Sequence, residues 1–139
     1  MNQDDARLRA QLLVWWTIWG CILGGLVLIY VVLGRGPLAP DAVQRQSLTG
    51  MAGIVPLVLS IILRWLVLPR RKEPRSAFVL FVIGVALAET CGILGVFLGG
   101  PYRDELFVLG VLGIAQFVPF FARPLLDPRR ERFTADGGS

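Results

Sequence analysis

The sequence predicts an all-α integral membrane protein, a bundle of four transmembrane helices with both termini on the cytoplasmic side. Two observations predict the spans: 55% of the residues are hydrophobic and only 17% charged, and the apolar residues are gathered into four long runs. A run of about 20 apolar residues is long enough to cross the hydrocarbon core as a helix. A third observation, the position of the basic residues at one end of these runs, predicts the orientation.

We expect the helices to cover residues 12–33, 48–68, 77–98 and 106–122. Proline and glycine mark their limits, with Pro69 after the second run and Gly-Gly-Pro at 99–101 after the third. The chain then divides into a cytoplasmic N-terminus (1–11), a membrane domain (12–123) and a charged cytoplasmic tail (124–139). A cleavable signal peptide is the alternative for the first run, but its apolar region would be shorter.

Basic residues are distributed unevenly between the two ends of the runs, and Lys and Arg near span ends tend to stay in the cytoplasm. One end carries eleven of them: Arg7, Arg9, Arg64, Arg70, Arg71, Lys72, Arg75, Arg123, Arg129, Arg130 and Arg132. The other end carries three: Arg35, Arg45 and Arg103. We therefore predict a multi-pass protein of the cytoplasmic (inner) membrane, whose basic charge reflects orientation in the lipid bilayer and not nucleic-acid binding.

The sequence lacks the residues that several classes of chemistry require. The chain has no histidine, which removes the commonest general base and metal ligand. The two cysteines, Cys21 and Cys91, lie inside apolar runs and form no metal or redox motif. No glycine-rich phosphate-binding loop is present. The sequence predicts neither an enzyme nor a cofactor or metal site.

Glu89 is the residue of this sequence that most strongly suggests a function. It lies twelve positions after Ala77, which places it about 18 Å into the membrane by helical rise. An ionised carboxylate at that depth costs roughly 2.5–3.5 kcal/mol on insertion scales, so we expect the side chain to be paired, hydrated or protonated. A carboxyl group that gains and loses a proton in the membrane is what an ion-handling site needs.

The alternative is a protonated Glu89 that only hydrogen-bonds across the bundle. Its candidate polar partners are Gln116 on the fourth helix, Thr17 on the first and Arg64 on the second. Arg64 shares a helix face with Ser60 and lies close to the cytoplasmic boundary, so its long side chain is expected to reach the headgroups and not Glu89.

Small residues spaced four apart predict close helix packing. Gly20 and Gly24 form such a pair on the first helix, and Gly84, Ala88 and Gly92 form a longer stripe on the third. Packing inside the bundle is the simpler interpretation, and an interface with another chain is the alternative.

The segment around Glu89 resembles a known family. Residues 81–96, with Phe81 to Glu89 followed by Ile93, Gly95 and Val96, are similar to the ion-binding helix of the rotor-ring c subunits of F-type and V-type ATPases. The resemblance implies that Glu89 binds the transported proton or sodium ion. It extends at most over the hairpin 48–98 and is specific only around Glu89, because residues 51–68 carry Pro56 and Arg64 in place of the family's repeated glycines.

Two hypotheses of function follow. In the first, a homo-oligomer or larger membrane complex handles a proton or cation through Glu89. In the second, the chain is a non-catalytic accessory or assembly protein whose glycine-rich faces bind another membrane protein.

Overall fold

The computed structural model describes residues 3–34, 36, 51–71, 73–98 and 100–122. This part of the chain is helical and contains no strand. The α-helices are α1 (Gln3–Ile29), α2 (Ile54–Ile62), α3 (Pro74–Leu98) and α4 (Arg103–Ala115). The prediction of an all-helical chain is confirmed. Most of the predicted connection 35–47 and the tail from 123 onward lie outside the described residues.

Shorter helical turns extend three of these helices. α1 continues as a π-helical turn, Tyr30–Gly34. α2 lies between a 3₁₀ turn, Met51–Gly53, and a π-helical turn, Leu63–Val67, that leads into a second 3₁₀ turn, Leu68–Arg70. A last 3₁₀ turn, Pro119–Ala122, follows α4. We refer to residues 51–70 as the second helical segment and to residues 103–122 as the fourth.

Two of the helices are long and apolar enough to cross a membrane by length and composition, Leu8–Gly34 and Pro74–Leu98. The second and fourth segments reach a similar length only as several shorter pieces, so neither forms one continuous long helix.

Neighbouring segments along the chain run in opposite directions. Ser60 donates a hydrogen bond to the Gly84 carbonyl, whereas Gly53 lies against Cys91, so the second segment is antiparallel to α3. α4 is antiparallel to α3 as well, because Gly95 meets Leu106 and Gly84 meets Phe117. Contacts between Trp15 and Phe78 and between Leu26 and Gly92 make α1 parallel to α3. The order is therefore up, down, up, down.

α3 forms the centre of the bundle because it packs against all three of the other segments. One face of it is buried along its whole length, from Ala77 through Phe81, Val85 and Ala88 to Gly95. Trp15 and Leu26 from α1 and Ile114 and Phe117 from the fourth segment complete the core around it. α1 and α2 share little surface with each other in the described residues, although they follow one another in the sequence.

The observed helix limits correct the predicted ones for physical reasons. α3 begins at Pro74, not at 77, since proline suits the first turn of a helix and Ala77 N–H donates to the Glu73 carbonyl. α1 extends back into the charged N-terminus, where most residues are good helix formers. Gly100 has a φ of 50°, a left-handed conformation that favours glycine, and it lies between α3 and α4.

The structure differs from the predicted helix 106–122 in its start and in a break before Pro119, whereas the fourth segment extends to Ala122 as predicted. α4 starts at Arg103 and has Asp104 and Glu105 in its first turn, where acidic side chains stabilise a helix. It ends at Ala115, because Pro119 has no N–H to donate to the Ala115 carbonyl. That carbonyl accepts the N–H of Val118 instead, in a tighter turn.

Candidate functional site

Glu89 lies in the middle part of α3, fifteen residues after Pro74 and nine before Leu98. At 1.5 Å of rise per residue the carboxylate-bearing residue is about 22 Å from the start of the helix. Its side chain is half-buried, while Ala88 before it is fully buried. Glu89 thus stands at the edge of the packed face of α3 and not at its centre.

The flank of α3 that carries Glu89 is the one next to α1. Phe78 lies eleven residues earlier, about three full turns, and so on nearly the same line along the helix. Its ring contacts Trp15 of α1, with centroids 5.2 Å apart. Gly84, which contacts Ser60 and Phe117, is five residues before Glu89 and therefore about 140° away around the helix axis. The second segment consequently lies on the opposite flank from Glu89.

None of the predicted polar partners is brought to Glu89. Gln116 and Arg64 are bonded to each other on the far flank of α3, and Thr17 is an exposed residue of α1. Within the described ranges, Glu89 forms neither a hydrogen bond nor an ion pair. The pairing proposed from the sequence is therefore not formed in this structure, since the helix rotation separates the groups.

Gln116 is instead the centre of a polar cluster that comprises Ser60, Arg64, Trp65 and Gln116. Its side-chain nitrogen Nε2 donates to Ser60 Oγ at 3.4 Å, and its Oε1 accepts from Trp65 Nε1 at 3.3 Å. Its main-chain carbonyl accepts from Arg64 Nε at 2.8 Å. The cluster links the second segment to the end of α4.

The break in α4 makes the Gln116 carbonyl available for this bond. Beyond Ala115 the chain leaves the α-helix, so the last carbonyl groups of α4 need other donors. A cation near the C-terminal end of a helix is also favoured by the helix dipole. Arg64 supplies both the donor and the positive charge, and its guanidinium lies 5.6 Å from the ring centroid of Trp65. Arg64 therefore has a structural role that its predicted approach to the headgroups did not include.

Ser60 extends the cluster into the core. Its side chain is 0% exposed, and Oγ donates to the Gly84 carbonyl at 2.7 Å. Every buried side-chain nitrogen and oxygen in the described residues has a hydrogen-bond partner. The half-buried Glu89 differs from these groups because its carboxylate has no partner among the same residues.

The small residues predicted on α3 lie against the fourth segment. A Cβ atom added to Gly84 would overlap the ring of Phe117, and one added to Gly95 would lie 2.5 Å from Leu106 Cβ. Between them, Ala88 meets Gly113 and Gly92 meets Gly110. The sequence prediction does not include the glycines of α4, Gly110 and Gly113, which are three residues apart and so do not repeat the four-residue spacing of the stripe on α3. The two helices approach to backbone contact along this line.

Gly20 and Gly24 have a different environment. Both are exposed on α1, and a Cβ atom added to either would meet nothing within 4 Å. They take no part in packing among the described residues. This outer face of α1 is open along at least one helical turn.

Metal-binding chemistry has no visible basis in the described residues, because no three Cys, Asp or Glu side chains gather there. The fold and the site define an all-helical protein with two helices able to cross a membrane and one carboxylate at mid-helix. Comparisons with protein-family models, with curated proteins and with solved structures gave no match to this chain.

Proposed function

We propose that this chain is a four-span protein of the inner membrane, with both termini in the cytoplasm, that binds a proton or a cation at Glu89 as part of a homo-oligomer or larger membrane complex. The observation that carries the proposal is the position of Glu89, in the middle part of the long apolar helix at the centre of the bundle and without a hydrogen bond or ion pair among the described residues. An intramembrane carboxylate is expensive unless a ligand or partner meets it.

Four crossings are supported by the alternation of the segments. The second and fourth segments each comprise 20 residues, 51–70 and 103–122, about 30 Å at helical rise. The exposed cations Arg9, Arg70, Arg71 and Arg75 lie at one end of the bundle. The opposite end carries a single basic residue, Arg103, among the described residues, and this difference in the number of basic residues favours the first end as the cytoplasmic one.

Ion binding at Glu89 is favoured over a purely structural acid by the environment of the other polar groups. Ser60, Gln116 and Trp19 all use their side chains to fasten helices together. Glu89 fastens nothing in the described part of the chain, and it is half-exposed on the α1 flank, where a proton, a cation or a neighbouring chain has access. The similarity of residues 81–96 to the ion-binding helix of rotor-ring c subunits supports the same role.

Chemical modification tests whether Glu89 takes up a proton in the membrane. A hydrophobic carbodiimide reacts with protonated carboxyl groups from within the lipid. Treatment of the full chain in proteoliposomes should add one adduct, located at Glu89 by mass spectrometry, and labelling should fall as the pH is raised. Slower labelling in the presence of Na⁺ would identify a cation that competes with the proton.

Two variants make the test specific. Glu89→Gln keeps the shape of the side chain, removes the titrating group and should abolish labelling. Thr90→Val, next along the helix and exposed, should label like the wild type. Ion flux into vesicles, followed with an entrapped pH- or sodium-sensitive dye, should be lost in Glu89→Gln and retained in Thr90→Val. Equal fluxes in the wild type and Glu89→Gln would exclude an ion-handling role.

A second candidate function, a non-catalytic accessory protein of a membrane complex, is favoured by the open face at Gly20 and Gly24. Glycines on an outer helix face allow another helix to come close. Gentle detergent extraction of the chain followed by mass spectrometry should then recover a second membrane protein, and Gly20→Leu should reduce that recovery. Recovery of this chain alone would count against it.

A further inference from the structure

The cytoplasmic end of the bundle carries a compact group of exposed cations on the connection between the second segment and α3. Arg70, Arg71 and Arg75 are all exposed, and Glu73 is the acidic residue within the same six positions. The connection is short and held by main-chain hydrogen bonds from Arg71 N–H to the Leu68 carbonyl at 3.1 Å and from Ala77 N–H to the Glu73 carbonyl at 3.0 Å. We call the described residues of this connection, Arg70, Arg71, Glu73, Pro74 and Arg75, the basic loop.

Large aromatic side chains are exposed on the bundle between its centre and the level of the basic loop. Trp65 is 66% exposed and Phe120 is 64% exposed. Trp16 meets Phe120 edge to face, with ring centroids 5.5 Å apart. Exposed tryptophans of membrane proteins gather at the boundary between hydrocarbon and headgroups. These three residues therefore mark the depth of that boundary.

The distance from the exposed aromatic side chains to the cations places the cations in the lipid headgroup layer. Arg70 is five residues after Trp65, about 7 Å along the segment at helical rise. A cation at that distance beyond the aromatic side chains lies in the headgroup layer, where the phosphates are. Proline at positions 69 and 74 limits the backbone freedom of the connection, so the arginines are held near this level.

The opposite end of the bundle has no comparable group among the described residues. Arg103 Nε contacts Asp104 Oδ1 at 3.4 Å, and its Nη1 donates to the Gly36 carbonyl at 3.0 Å. With Glu105 beside them, the described charges there sum to −1, from one Arg, one Asp and one Glu. Among the described residues, the attraction for anions is therefore stronger at the end of the bundle that carries the basic loop.

We infer that the basic loop binds the headgroups of anionic phospholipids at the cytoplasmic face of the membrane. The charge of the loop and its level relative to the exposed aromatic residues carry this inference. It relies on the membrane placement proposed above and not on Glu89, so it stands or fails separately from ion binding. Each basic residue near an anionic membrane surface strengthens binding by roughly fivefold.

Native mass spectrometry of the detergent-purified full chain tests the inference directly. The chain is titrated with dioleoylphosphatidylglycerol or with dioleoylphosphatidylcholine, two lipids with the same tails. We expect tighter binding of the phosphatidylglycerol, with a preference that shrinks as the salt concentration rises. Equal binding of the two lipids would overturn the inference.

Variants of the loop show whether its charge or its local structure causes the preference for phosphatidylglycerol. Arg70→Gln with Arg71→Gln should lower the preference for phosphatidylglycerol by roughly tenfold or more, whereas Arg70→Lys with Arg71→Lys should keep most of it. Glu73→Gln should raise the preference, since the hydrogen bonds of Glu73 in the turn use its main chain. Loss of the preference in the Lys variant to the same extent as in the Gln variant would show that charge is not the cause. Circular dichroism verifies that each variant remains helical.

Discussion

Gly110 of α4 lies against the main chain of Gly92 in α3, so close that a Cβ atom on Gly110 would be 2.7 Å from the Gly92 nitrogen. The Gly92 Cα would be only 2.8 Å away. Because the neighbour is backbone, it cannot rotate aside as a long side chain would. This contact sets the distance between the two helices at the middle of the bundle.

Replacement of Gly110 by alanine should therefore force α3 and α4 apart. We expect Gly110→Ala to lower the free energy of unfolding by about 1–3 kcal/mol, the usual cost of overpacking. The matched control is Gly24→Ala, where nothing lies within 4 Å and the helix propensity of alanine should leave stability equal or slightly higher. Unfolding in mixed micelles, followed by circular dichroism, measures both. Equal stabilities of the two variants would contradict the close approach of the helices.

Trp19 fastens α1 to the fourth segment, since its indole Nε1 donates to the Ile114 carbonyl at 2.9 Å. Trp19→Phe removes the donor and should cost about 0.5–1.5 kcal/mol of unfolding free energy. Trp16→Phe loses the same part of the ring at a more exposed position and is the control. The same unfolding assay should show a smaller loss for Trp16→Phe, and the reverse order would argue against the hydrogen bond.

Ser60 is the buried end of the polar cluster, with bonds to the Gly84 carbonyl and to Gln116. Ser60→Ala should destabilise the protein by roughly 0.5–1.5 kcal/mol, because Gln116 Nε2 loses an acceptor inside the bundle. Thr90→Ala removes a bond of equal length, Thr90 Oγ1 to the Ala86 carbonyl at 2.7 Å, but within one helix and at its exposed face. A smaller effect is expected there. A double-mutant cycle with Gln116→Leu should show coupling with Ser60→Ala and none with Thr90→Ala.

The proposed orientation is testable with single thiols. In a chain carrying Cys21→Ala and Cys91→Ala, a cysteine is placed either at Glu73 or at Glu105, both exposed. A membrane-impermeant maleimide added to intact cells should label Glu105→Cys and should label Glu73→Cys only after the cells are opened. Labelling of both positions from outside would exclude the four-span arrangement with cytoplasmic termini.

The sequence alone predicts that these segments exist and that they are helical, because long apolar runs and the proline or glycine residues that end them are local signals. The stripe at Gly84, Ala88 and Gly92 was also visible in the spacing. Its partner was not, because the match with Gly110 and Gly113 depends on the antiparallel register of two helices, which no single run of sequence encodes.

The partners of the polar side chains could not be predicted for a related reason. The sequence identifies Arg64 and Gln116 as polar residues in apolar runs, and both are candidate partners of Glu89. Which of them meet is decided by the rotation of α3, which turns Glu89 toward α1 and Gly84 toward Ser60. The role of Arg64 at the end of α4 further requires the helix break before Pro119, a detail that a hydrophobic run does not reveal.

The sparse contact between α1 and α2 has a consequence for biosynthesis. These two segments leave the ribosome before α3 and α4, yet each finds its main partners in α3 and the fourth segment. A nascent chain that ends near Arg71 therefore lacks the α3 and α4 residues that cover Trp15, Leu26 and Ser60 in the described structure. The bundle can therefore assemble only after α3 and the fourth segment have been made. These two segments pack directly against each other along Gly84, Ala88 and Gly92.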